Sequence, residues 1–320
     1  MTIKVKIFRG EDFDFEKLLP ITYETRKQVL LDKGINFEDL PKIFSENFTN
    51  RSVIYIIAYK NQTIVGWLLL NPTAQKTLEI NFGQDLGGNP IISPTHNWNE
   101  VASNLLTTAQ NLAQEQGYRG IEVSIPLNVA DKVTPIQNPV ILYQTLGFNI
   151  KLKYVDMVYE VNLEEIPDLI IPKELSMNSI NLVEENDILQ CYLAAFESGD
   201  AKFFVYQTKT ERLEYFHTLY EPDILDEEAS IVLIKDNLII GFSYVLEFEE
   251  NSRHISCMCI HPEFQGKGLG KLLLFKIINV VSKQGAKYIT LGTETEMRAF
   301  NLYKNNGFTV SEGTIILHWE

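Results

Sequence analysis

The sequence predicts an α/β (α+β) fold of two tandem units, each a mixed, mostly antiparallel sheet flanked by helices. Two observations support this prediction. In both halves, apolar strand-like segments are joined first by short polar turns and then by helical stretches, an order typical of a mixed sheet covered on both faces. In addition, several landmarks of the first half recur in the second half in the same order. With 320 residues, 45% of them apolar, the chain is long enough for two domains of ordinary size.

The internal repeat has four matched landmarks: a strand–turn–strand segment, a proline, a glycine and a Tyr-x-x-x-Gly-Phe sequence. The matched pairs, first half before second, are residues 56–67 with 232–242, Pro94 with Pro262, Gly117 with Gly285, and residues 143–148 with 303–308. From this repeat we predict a first domain at residues 1–165 and a second domain at residues 166–320. The stretch Asn162–Asn178, rich in proline and charge, is the predicted linker.

Hydrophobic periodicity and turn residues locate the elements of each unit. In the first unit the predicted strands are Lys4–Phe8, Val53–Tyr59, Thr63–Leu70, Thr77–Phe82 and Gly120–Ser124, and the predicted helices are Glu16–Leu31, Leu40–Phe48 and Trp98–Gln116. In the second unit the predicted strands are Ser179–Val183, Ser230–Ile234, Ile239–Phe248, Arg253–Ile260, Tyr288–Gly292 and Thr314–Trp319, and the predicted helices are Asp187–Phe196, Lys209–Leu219, Leu269–Lys283 and Glu296–Asn305.

Composition and charge argue against several classes of function. The formal net charge of −14 leaves no basic face for nucleic acid, and no apolar stretch is long enough to span a bilayer, so we expect neither nucleic-acid nor membrane binding. The first fifteen residues lack the apolar core of a signal peptide, and three cysteines give no disulfide framework, so we expect a cytoplasmic location. Cys257 and Cys259 alternate along a strand without further ligands, which predicts core residues and no metal site.

The most informative motif is a glycine-alternating loop between a predicted strand and a predicted helix. Gly266, Gly268 and Gly270 leave backbone N–H groups open to close approach, and the helix start adds free donors and the positive end of its dipole. The loop therefore predicts a pocket for a phosphate or pyrophosphate. A Walker loop is excluded because only three residues separate Gly266 from Gly270 and Leu272 stands where a hydroxyl is required. A dinucleotide fingerprint is excluded because its third glycine comes one position later.

A second motif lies downstream, where residues 299–308 have the form Ala-x-x-Leu-Tyr-x-x-x-Gly-Phe. The periodicity of Phe300, Leu302 and Tyr303 predicts a short helix, and Gly307 is a natural left-handed stop after it. The Gln-Gly-x-Gly-x-Gly loop followed by this helix resembles the GNAT superfamily of N-acetyltransferases. The tandem arrangement resembles two-domain members of the mycothiol synthase-like type.

This resemblance implies an acetyl-CoA-dependent N-acetyltransferase that moves an acetyl group directly from the thioester to the primary amine of a small acceptor, for which the acidic chain favours a cation. Coenzyme contacts are implied for Met258, Cys259, Ile260, Gln265, Gly266, Lys267, Gly268, Leu269, Gly270, Lys271 and Tyr303. The loop would hold the pyrophosphate, an N–H near Ile260 would polarise the thioester carbonyl, and Tyr303 would protonate the departing thiolate. One departure from the family pattern is Glu296, at a position where the family often has Asn.

The general base is predicted from residue type and position. An amine is largely protonated near neutral pH, so a group must take a proton from it directly or through water. Glu247, near the end of the strand before the turn, is the first candidate, and His254, across the hairpin, is the second. Both residues also fit structural roles: Glu247 as a solvated charge at the end of a strand, and His254 as an imidazole on the surface.

The first half does not keep the glycine loop. In the alignment of the two halves, Gln265, Gly266, Gly268 and Gly270 correspond to Asn97, Trp98, Glu100 and Ala102. A carboxylate repels a pyrophosphate, and an indole ring prevents close approach of the backbone. We therefore expect a degenerate first unit and one active site per chain.

Two other classes of function stay open. A non-catalytic acyl-CoA-binding or regulatory module would keep the loop but would need no proton donor at Tyr303. A tandem aminoacyltransferase that uses charged transfer RNA would need a basic channel, which this acidic chain does not offer. The sequence leaves open the identity of the amine, the acyl-chain preference, and the choice between a monomer and a homodimer.

Overall fold

The computed structural model describes residues 2–32, 34–48, 52–81, 90–127, 138–162, 170–197, 199–249 and 251–320. The chain divides into two compact units, Met1–Lys151 with Thr314–Glu320, and Leu152–Gly313. Both units combine helices with a mostly antiparallel sheet, so the prediction of a mixed α/β fold with mostly antiparallel strands and flanking helices is confirmed. The predicted domain boundary between residues 165 and 166 lies outside the described residues. None of the helices in the described ranges is long and apolar enough to cross a membrane.

The first unit is a sheet with helices packed against it. Its strands are β1 (Lys4–Arg9), β2 (Ile54–Lys60), β3 (Thr63–Pro72), β4 (Thr77–Asn81), β5 (Ile91–Ile92) and β6 (Gly120–Pro126), and its helices are α1 (Leu19–Asp32), α2 (Leu40–Phe48), α3 (Trp98–Glu115) and α4 (Pro139–Thr145). The pairs β1–β2, β2–β3, β3–β4 and β3–β5 are antiparallel, whereas β4 and β6 pair in parallel.

The continuous apolar run of β2 explains why helices lie on both faces of the first sheet. Alternate side chains of a strand point to opposite faces. Ile54 and Ile56 lie in one buried cluster with Leu105 of α3, whereas Tyr55 and Ile57 lie in another cluster with residues of α1 and α2. A strand that is buried on both faces is apolar at consecutive positions, so its sequence lacks the alternation of apolar and polar residues.

The second unit starts within a long strand, β7 (Asn149–Glu160). Its other strands are β8 (Ser176–Ser179), β9 (Ile231–Lys235), β10 (Leu238–Glu249), β11 (Ser252–Ile260), β12 (Tyr288–Glu294) and the first residues of β13 (Thr309–Trp319). Its helices are α5 (Glu185–Glu197), α6 (Lys202–Val205), α7 (Lys209–Thr218), α8 (Leu269–Lys283) and α9 (Arg298–Lys304). The strands pair in the order β7-β12-β11-β10-β9-β8, and all of these pairs are antiparallel except β11–β12.

Helices cover the second sheet through two separate sets of side chains. Phe242 and Tyr244 of β10 and Cys259 of β11 belong to a buried cluster with residues of α5, α6 and α7. α8 packs against β9, β10 and β11 through its own buried side chains, which include Leu273 and Ile277. The site described below lies at the end of β11 and is lined by residues of both α5 and α8.

A β-bulge in β11 decides which side chains share a face of the second sheet. The β10–β11 register shifts between Tyr244, which pairs with Cys257, and Val245, which pairs with Ile255. One extra residue of β11 is therefore accommodated at this point. As a result, His254 lies on the same face as Cys257, although a regular period of two would place residues three apart on opposite faces.

The C-terminal part of β13 belongs to the first unit rather than to the second. Thr314–Trp319, which the sequence predicts as a strand of the second half, pairs antiparallel with β6. Glu122 of β6 supports this pairing through contacts with Lys151 Nζ at 2.5 Å and His318 Nδ1 at 3.4 Å. The partners of this strand are distant in sequence, so the pattern within the segment does not reveal them.

Three elements of the second unit differ from the prediction. The predicted strand Ser179–Val183 is wrong beyond its first residue, because the strand is β8 and Ile180–Leu182 forms a 3₁₀ turn. Leu182 is 75% exposed, so an apolar residue stands here without being buried. Neither β7 nor the four-residue helix α6 is predicted by the sequence, although β7 alternates buried and exposed side chains.

The matched landmarks of the two halves have similar backbone conformations. The hairpin turns at residues 61–62 and 236–237 are built from residues with positive φ, between 49° and 69°. This conformation is typical of two-residue hairpin turns whose twist matches the flanking strands. Gly147 and Gly307 follow α4 and α9 with φ of 87° and 96°.

Candidate functional site

A pocket of about 380 Å³ lies in the second unit, where β11 ends and α8 begins. It brings together residues that the sequence predicts as coenzyme contacts: Met258, Cys259, Ile260, Gln265, Gly266, Gly268, Leu269, Gly270, Lys271 and Tyr303. Lining residues that the sequence does not predict come from α5, the α5–α6 connection and α9, and include Ala195, Phe196, Asp200, Ala201, Met297 and Arg298. The pocket is therefore assembled from segments that are far apart in sequence.

The glycine loop forms a cradle of backbone donors at the start of α8. Gly266 and Gly268 have φ of 73° and 80°, and a Cβ added at either position would meet nothing within 4 Å. α8 begins at Leu269 with Gly268 as its N-cap, and no side chain caps it. The N–H groups of the first turn of a helix have no intrahelical partners and lie at the positive end of the helix dipole. In α8, the positively charged side chain of Lys271 adds to this positive end. This arrangement suits a phosphate group, as the sequence predicts.

Lys267 differs from the other predicted loop contacts because it does not line the pocket. Its Nζ donates to the backbone oxygen of Glu263 at 2.8 Å and lies 5.1 Å from the centre of the Phe264 ring. These contacts fold the side chain back over the 3₁₀ turn that precedes the loop. The contact predicted for Lys267 stays a prediction.

The end of β11 presents an open backbone edge to the pocket. Parallel pairing of β11 with β12 extends only to Ile255 and Leu291. On the other edge, the N–H of His261 donates to the Ile240 oxygen at 2.8 Å, continuing the ladder with β10. Hydrogen-bonded positions alternate in an antiparallel pair, so the peptide groups of Met258 and Ile260 point to the open edge. Such an edge can pair with an extended ligand in the manner of an added strand.

Arg298 and Asp200 connect the walls of the pocket. Arg298 Nη2 donates to Gln265 Oε1 at 3.0 Å, and Gln265 Nε2 donates to the Ile260 oxygen at 2.9 Å. A carboxylate oxygen of Asp200 accepts from the backbone N–H of Arg298 at 3.0 Å and lies 3.7 Å from its Nε. The glycine loop, β11, α9 and the α5–α6 connection are thereby held around one space, with a guanidinium at the rim.

Glu294, at the end of β12, braces the α6 side of the pocket. Its side chain is almost completely buried and accepts from the backbone N–H groups of Phe203 at 2.7 Å and Lys202 at 3.1 Å. Burial raises the pKa of Glu294 above its ordinary value, whereas the two backbone donors act in the opposite direction. Glu296, the departure from the family pattern, contacts Lys202 Nζ at 2.5 Å and does not line the pocket.

Tyr303 is placed in the pocket by α9. It is 5% exposed, and its ring lies 5.6 Å from that of Phe308. Burial raises the pKa of Tyr303 above its ordinary value, so the hydroxyl stays protonated at neutral pH. The group can donate a hydrogen bond or a proton to a ligand atom in the pocket.

The two predicted bases lie outside the pocket lining and on opposite faces of the sheet. Glu247 Oε1 contacts Arg253 Nη2 at 3.3 Å, and its side chain is 51% exposed. His254, the next residue along β11 from Arg253, points to the other face and shares a 2.9 Å hydrogen bond between Nδ1 and Thr290 Oγ1. Burial lowers the pKa of His254 below its ordinary value, which favours the neutral imidazole.

The cysteines are core residues, as the sequence predicts for two of them. Cys191, Cys257 and Cys259 are all buried and free of disulfides. Burial, with hydrogen bonds to the neighbouring thiols, raises the pKa of Cys259, which lines the pocket as a neutral thiol. In the described part of the chain, no group of three or more His, Cys, Asp or Glu side chains is arranged to hold a metal ion.

The corresponding helix of the first unit starts differently. α3 has Asn97 as its N-cap, whose side-chain oxygen accepts from the N–H of Glu100 at 3.0 Å. The carboxylate of Glu100 lies in the first turn, where α8 has no acidic residue. A side chain therefore occupies one of the backbone N–H donors that an anion would need, and the carboxylate of Glu100 adds a negative charge beside the remaining donors.

Sequence comparison connects this site to a known family. Residues 190–308, which lie within the second unit, match the model of the acetyltransferase (GNAT) family. A curated relative, an uncharacterized N-acetyltransferase named ycf52 from Gracilaria tenuistipitata var. liui, is 34% identical over 86 residues, which are 27% of this chain and 46% of that protein. The match thus spans less than half of the relative's own length.

Structural comparison gives the same fold over the whole chain. A GCN5-related N-acetyltransferase from Sphaerobacter thermophilus has a TM-score of 0.59 at 12% identity, covering 99% of this chain and 95% of that chain. A tandem GNAT protein from the clavulanic acid biosynthesis pathway has a TM-score of 0.50 at 12% identity, covering 100% and 98%. At these identities the likeness shows the GNAT fold alone.

Proposed function

We propose that the second unit is an acetyl-CoA-dependent N-acetyltransferase that acts on the primary amine of a small acceptor. The observation that supports this most is one pocket with three features: an uncapped glycine cradle at the start of α8, an open edge on β11, and the buried hydroxyl of Tyr303. An anion site, an extended backbone edge and a proton donor are what a phosphopantetheine thioester requires. The family match of residues 190–308 supports the same assignment.

In this proposal each part of the pocket has a separate task. The N–H groups around Gly266 and Gly268, with Lys271, hold the pyrophosphate. The peptide groups of Met258 and Ile260 pair with the pantetheine arm. An N–H on this open edge, that of Met258 or of Ile260, polarises the thioester carbonyl as an oxyanion donor. The oxygen of Ile260 accepts from Gln265.

Acetyl transfer is proposed to occur in one direct step. The amine nitrogen attacks the carbonyl carbon of the thioester, the carbon–sulfur bond breaks, and a base takes a proton from the nitrogen. Tyr303 donates to the departing thiolate. Since a thiol is a stronger acid than a phenol, the hydrogen bond and the position of Tyr303 matter more than full proton transfer.

The geometry favours His254 over Glu247 as the base. His254 lies on the sheet face that includes Cys257, and the lowered pKa keeps its imidazole neutral and able to accept a proton. Glu247 lies on the opposite face with its carboxylate against Arg253. Because His254 does not line the pocket, the proton reaches it through water in this proposal.

The first unit is proposed to be a degenerate copy of the second, so that each chain binds one coenzyme. Capping of α3 by Asn97, together with Glu100 in its first turn, supports this proposal. Calorimetric titration with coenzyme A is expected to give one site per chain for the wild type. Glu100→Gly is expected to give the same stoichiometry, because the Asn97 cap remains. Two sites in the wild type would contradict the proposal.

The function is tested by coenzyme binding and by thiol release from acetyl-CoA with spermidine, glucosamine and lysine as amines. Tyr303→Phe should bind coenzyme A within about twofold of the wild type but release thiol at least about 100-fold more slowly. Tyr288→Phe, at the exposed start of β12, is the matched control and should behave as the wild type. Coenzyme binding without thiol release from any amine would assign a non-catalytic module, and no coenzyme binding would reject the site.

A further inference from the structure

A second tyrosine lies where β11 and β12 separate, and the catalytic roles above do not use it. Gly292 is the first residue of β12 beyond the last β11–β12 pair, Ile255 with Leu291. A Cβ added at Gly292 would lie 1.6 Å from the hydroxyl oxygen of Tyr154 and 2.4 Å from its Cζ. The hydroxyl of Tyr154 therefore occupies the volume that any side chain at this position would take.

The position of Tyr154 follows from the pairing of β7 with β12. Tyr154 pairs with Glu294, and Asp156 pairs with Gly292. Directly paired residues share a face, and a long side chain reaches the diagonal neighbour two residues along the partner strand. Tyr154 makes this diagonal contact, and it is possible only because Gly292 has no side chain.

The hydroxyl of Tyr154 lies on the face of the sheet that carries the proposed chemistry. Glu294, its directly paired neighbour, is bonded to the backbone of α6, which lies on the same face as Cys259 of the pocket lining. Thr290, the hydrogen-bond partner of His254, is two residues before Gly292 and therefore shares this face, about 7 Å along the strand.

The chemistry of the hydroxyl suits contact with an amine. Burial raises the pKa of Tyr154 above its ordinary value, so the oxygen is a neutral hydroxyl that can both donate and accept. The carboxylate of Glu294 already accepts from two backbone N–H groups. The ring of Tyr154 is partly exposed, which leaves access for a ligand from solvent.

We propose that the Tyr154 hydroxyl, seated over Gly292 at the divergence of β11 and β12, contacts the nitrogen of the acceptor amine and orients its lone pair toward the thioester. This inference rests on the proposed function. It requires the acetyl end of the coenzyme to extend from the pocket along the open edge of β11 toward the divergence point, because Tyr154 and Gly292 do not line the pocket themselves. The Tyr154 oxygen accepts a hydrogen bond from the amine N–H and makes no covalent bond. Gly292 serves the same purpose indirectly, by leaving space for the ring.

Steady-state kinetics of two variants test this role. Tyr154→Phe removes only the hydroxyl, and Gly292→Ala displaces the ring, because the new Cβ cannot coexist with the present hydroxyl position. In each variant kcat/KM for the amine should fall about three- to tenfold, through a higher KM for the amine or a lower kcat. A loss of this size corresponds to one neutral hydrogen bond. The KM for acetyl-CoA and the calorimetric affinity for coenzyme A should change by less than about twofold. Tyr288→Phe is the matched control.

The double variant Tyr154→Phe/Gly292→Ala separates a shared role from a general loss of packing. Two changes that act through one hydroxyl are not additive, so the double variant should lose little more than either single variant. A Tyr154→Phe variant with wild-type kcat/KM for the amine would overturn the inference while leaving acetyl transfer intact. Equal losses for the amine and for coenzyme A would assign Tyr154 a structural role. A wild type that transfers no acetyl group would remove the proposed function and this inference with it.

Discussion

Gly268→Glu offers the sharpest test of the glycine cradle. Gly268 has φ of 80° and caps α8, and a Cβ there meets nothing within 4 Å, so the added side chain fits sterically. The left-handed conformation costs a residue with a side chain about 1–2 kcal/mol. The new carboxylate would lie among the N–H groups that we assign to the pyrophosphate, compete for them, and repel the ligand.

The expected magnitude follows from the position of that charge. Two unit charges 4 Å apart interact by about 4 kcal/mol at an effective dielectric constant of about 20, which corresponds to a loss of affinity of about 1000-fold. Gly285→Glu is the matched control, because Gly285 has φ of 85°, nothing within 4 Å of its Cβ position, and lies beyond the other end of α8. A helix of 15 residues is about 22 Å long, well beyond the screening length in physiological salt.

Isothermal titration with coenzyme A measures both variants, with circular dichroism to verify that they are folded. We expect Gly268→Glu to show no measurable binding and Gly285→Glu to bind within about twofold of the wild type. Equal losses in both variants would mean that backbone strain, not the local charge, decides the affinity. Wild-type affinity in Gly268→Glu would refute the assignment of the cradle to a phosphate.

Three further predictions concern the base and the buried charges. His254→Gln should flatten the rising limb of the pH–rate profile, which lies below pH 6.5 because burial lowers the pKa of His254, and an unchanged profile would exclude the residue. A hydrogen bond with His318, together with the hydrogen bond and charge of Lys151, lowers the pKa of Glu122 to about 2. The ionised carboxylate therefore stabilises the fold above about pH 4.5, and this stabilisation is lost as the pH falls to about 2. Glu122→Gln should therefore reduce the free energy of unfolding by at most about 3 kcal/mol at pH 7, and a urea titration that shows the same difference at pH 3 and pH 7 would contradict this. Asp226→Asn breaks the buried 2.7 Å contact with Arg253 and should reduce the free energy of unfolding by about 3 kcal/mol. Glu247→Gln, at a half-exposed position against the same arginine, should reduce it by less than about 1 kcal/mol. Equal losses of stability in the two variants on thermal denaturation would contradict the role of the buried pair.

Local features of the fold were predictable because they depend on short stretches of chain. The predicted helices Leu40–Phe48 and Leu269–Lys283 agree with the observed bounds. The hairpins that join β2 to β3 and β9 to β10 are also confirmed, since their polar two-residue turns require positive φ at defined positions. Ser179–Val183 was wrong because exposure of Leu182 is decided by packing and not by the polarity of the residue.

The candidate site was predictable in part for the same reason. The glycine loop and the helix start lie in one short stretch, and Tyr303 lies in a second short motif; the structure brings both to one pocket. Asp200 and Arg298 could not be predicted, because their contact joins segments whose distance in sequence carries no signal. The contact of Tyr154 with Gly292 was missed together with β7, although the glycine within a predicted strand was a signal of close approach by another group.

By itself, the sequence determined the class of fold, the glycine cradle and the helix that starts from it, because backbone conformation at glycines and helix ends is a local property. The tertiary structure alone decided which side chains share the sheet face of the pocket residue Cys259. An extra residue in β11 places His254 on the face of Cys257, the alternation of the strand places Glu247 on the other, and β13 pairs with β6 of the first unit. These outcomes depend on register and strand pairing, in which a shift of one residue reverses a face, and no pattern within a single segment encodes them.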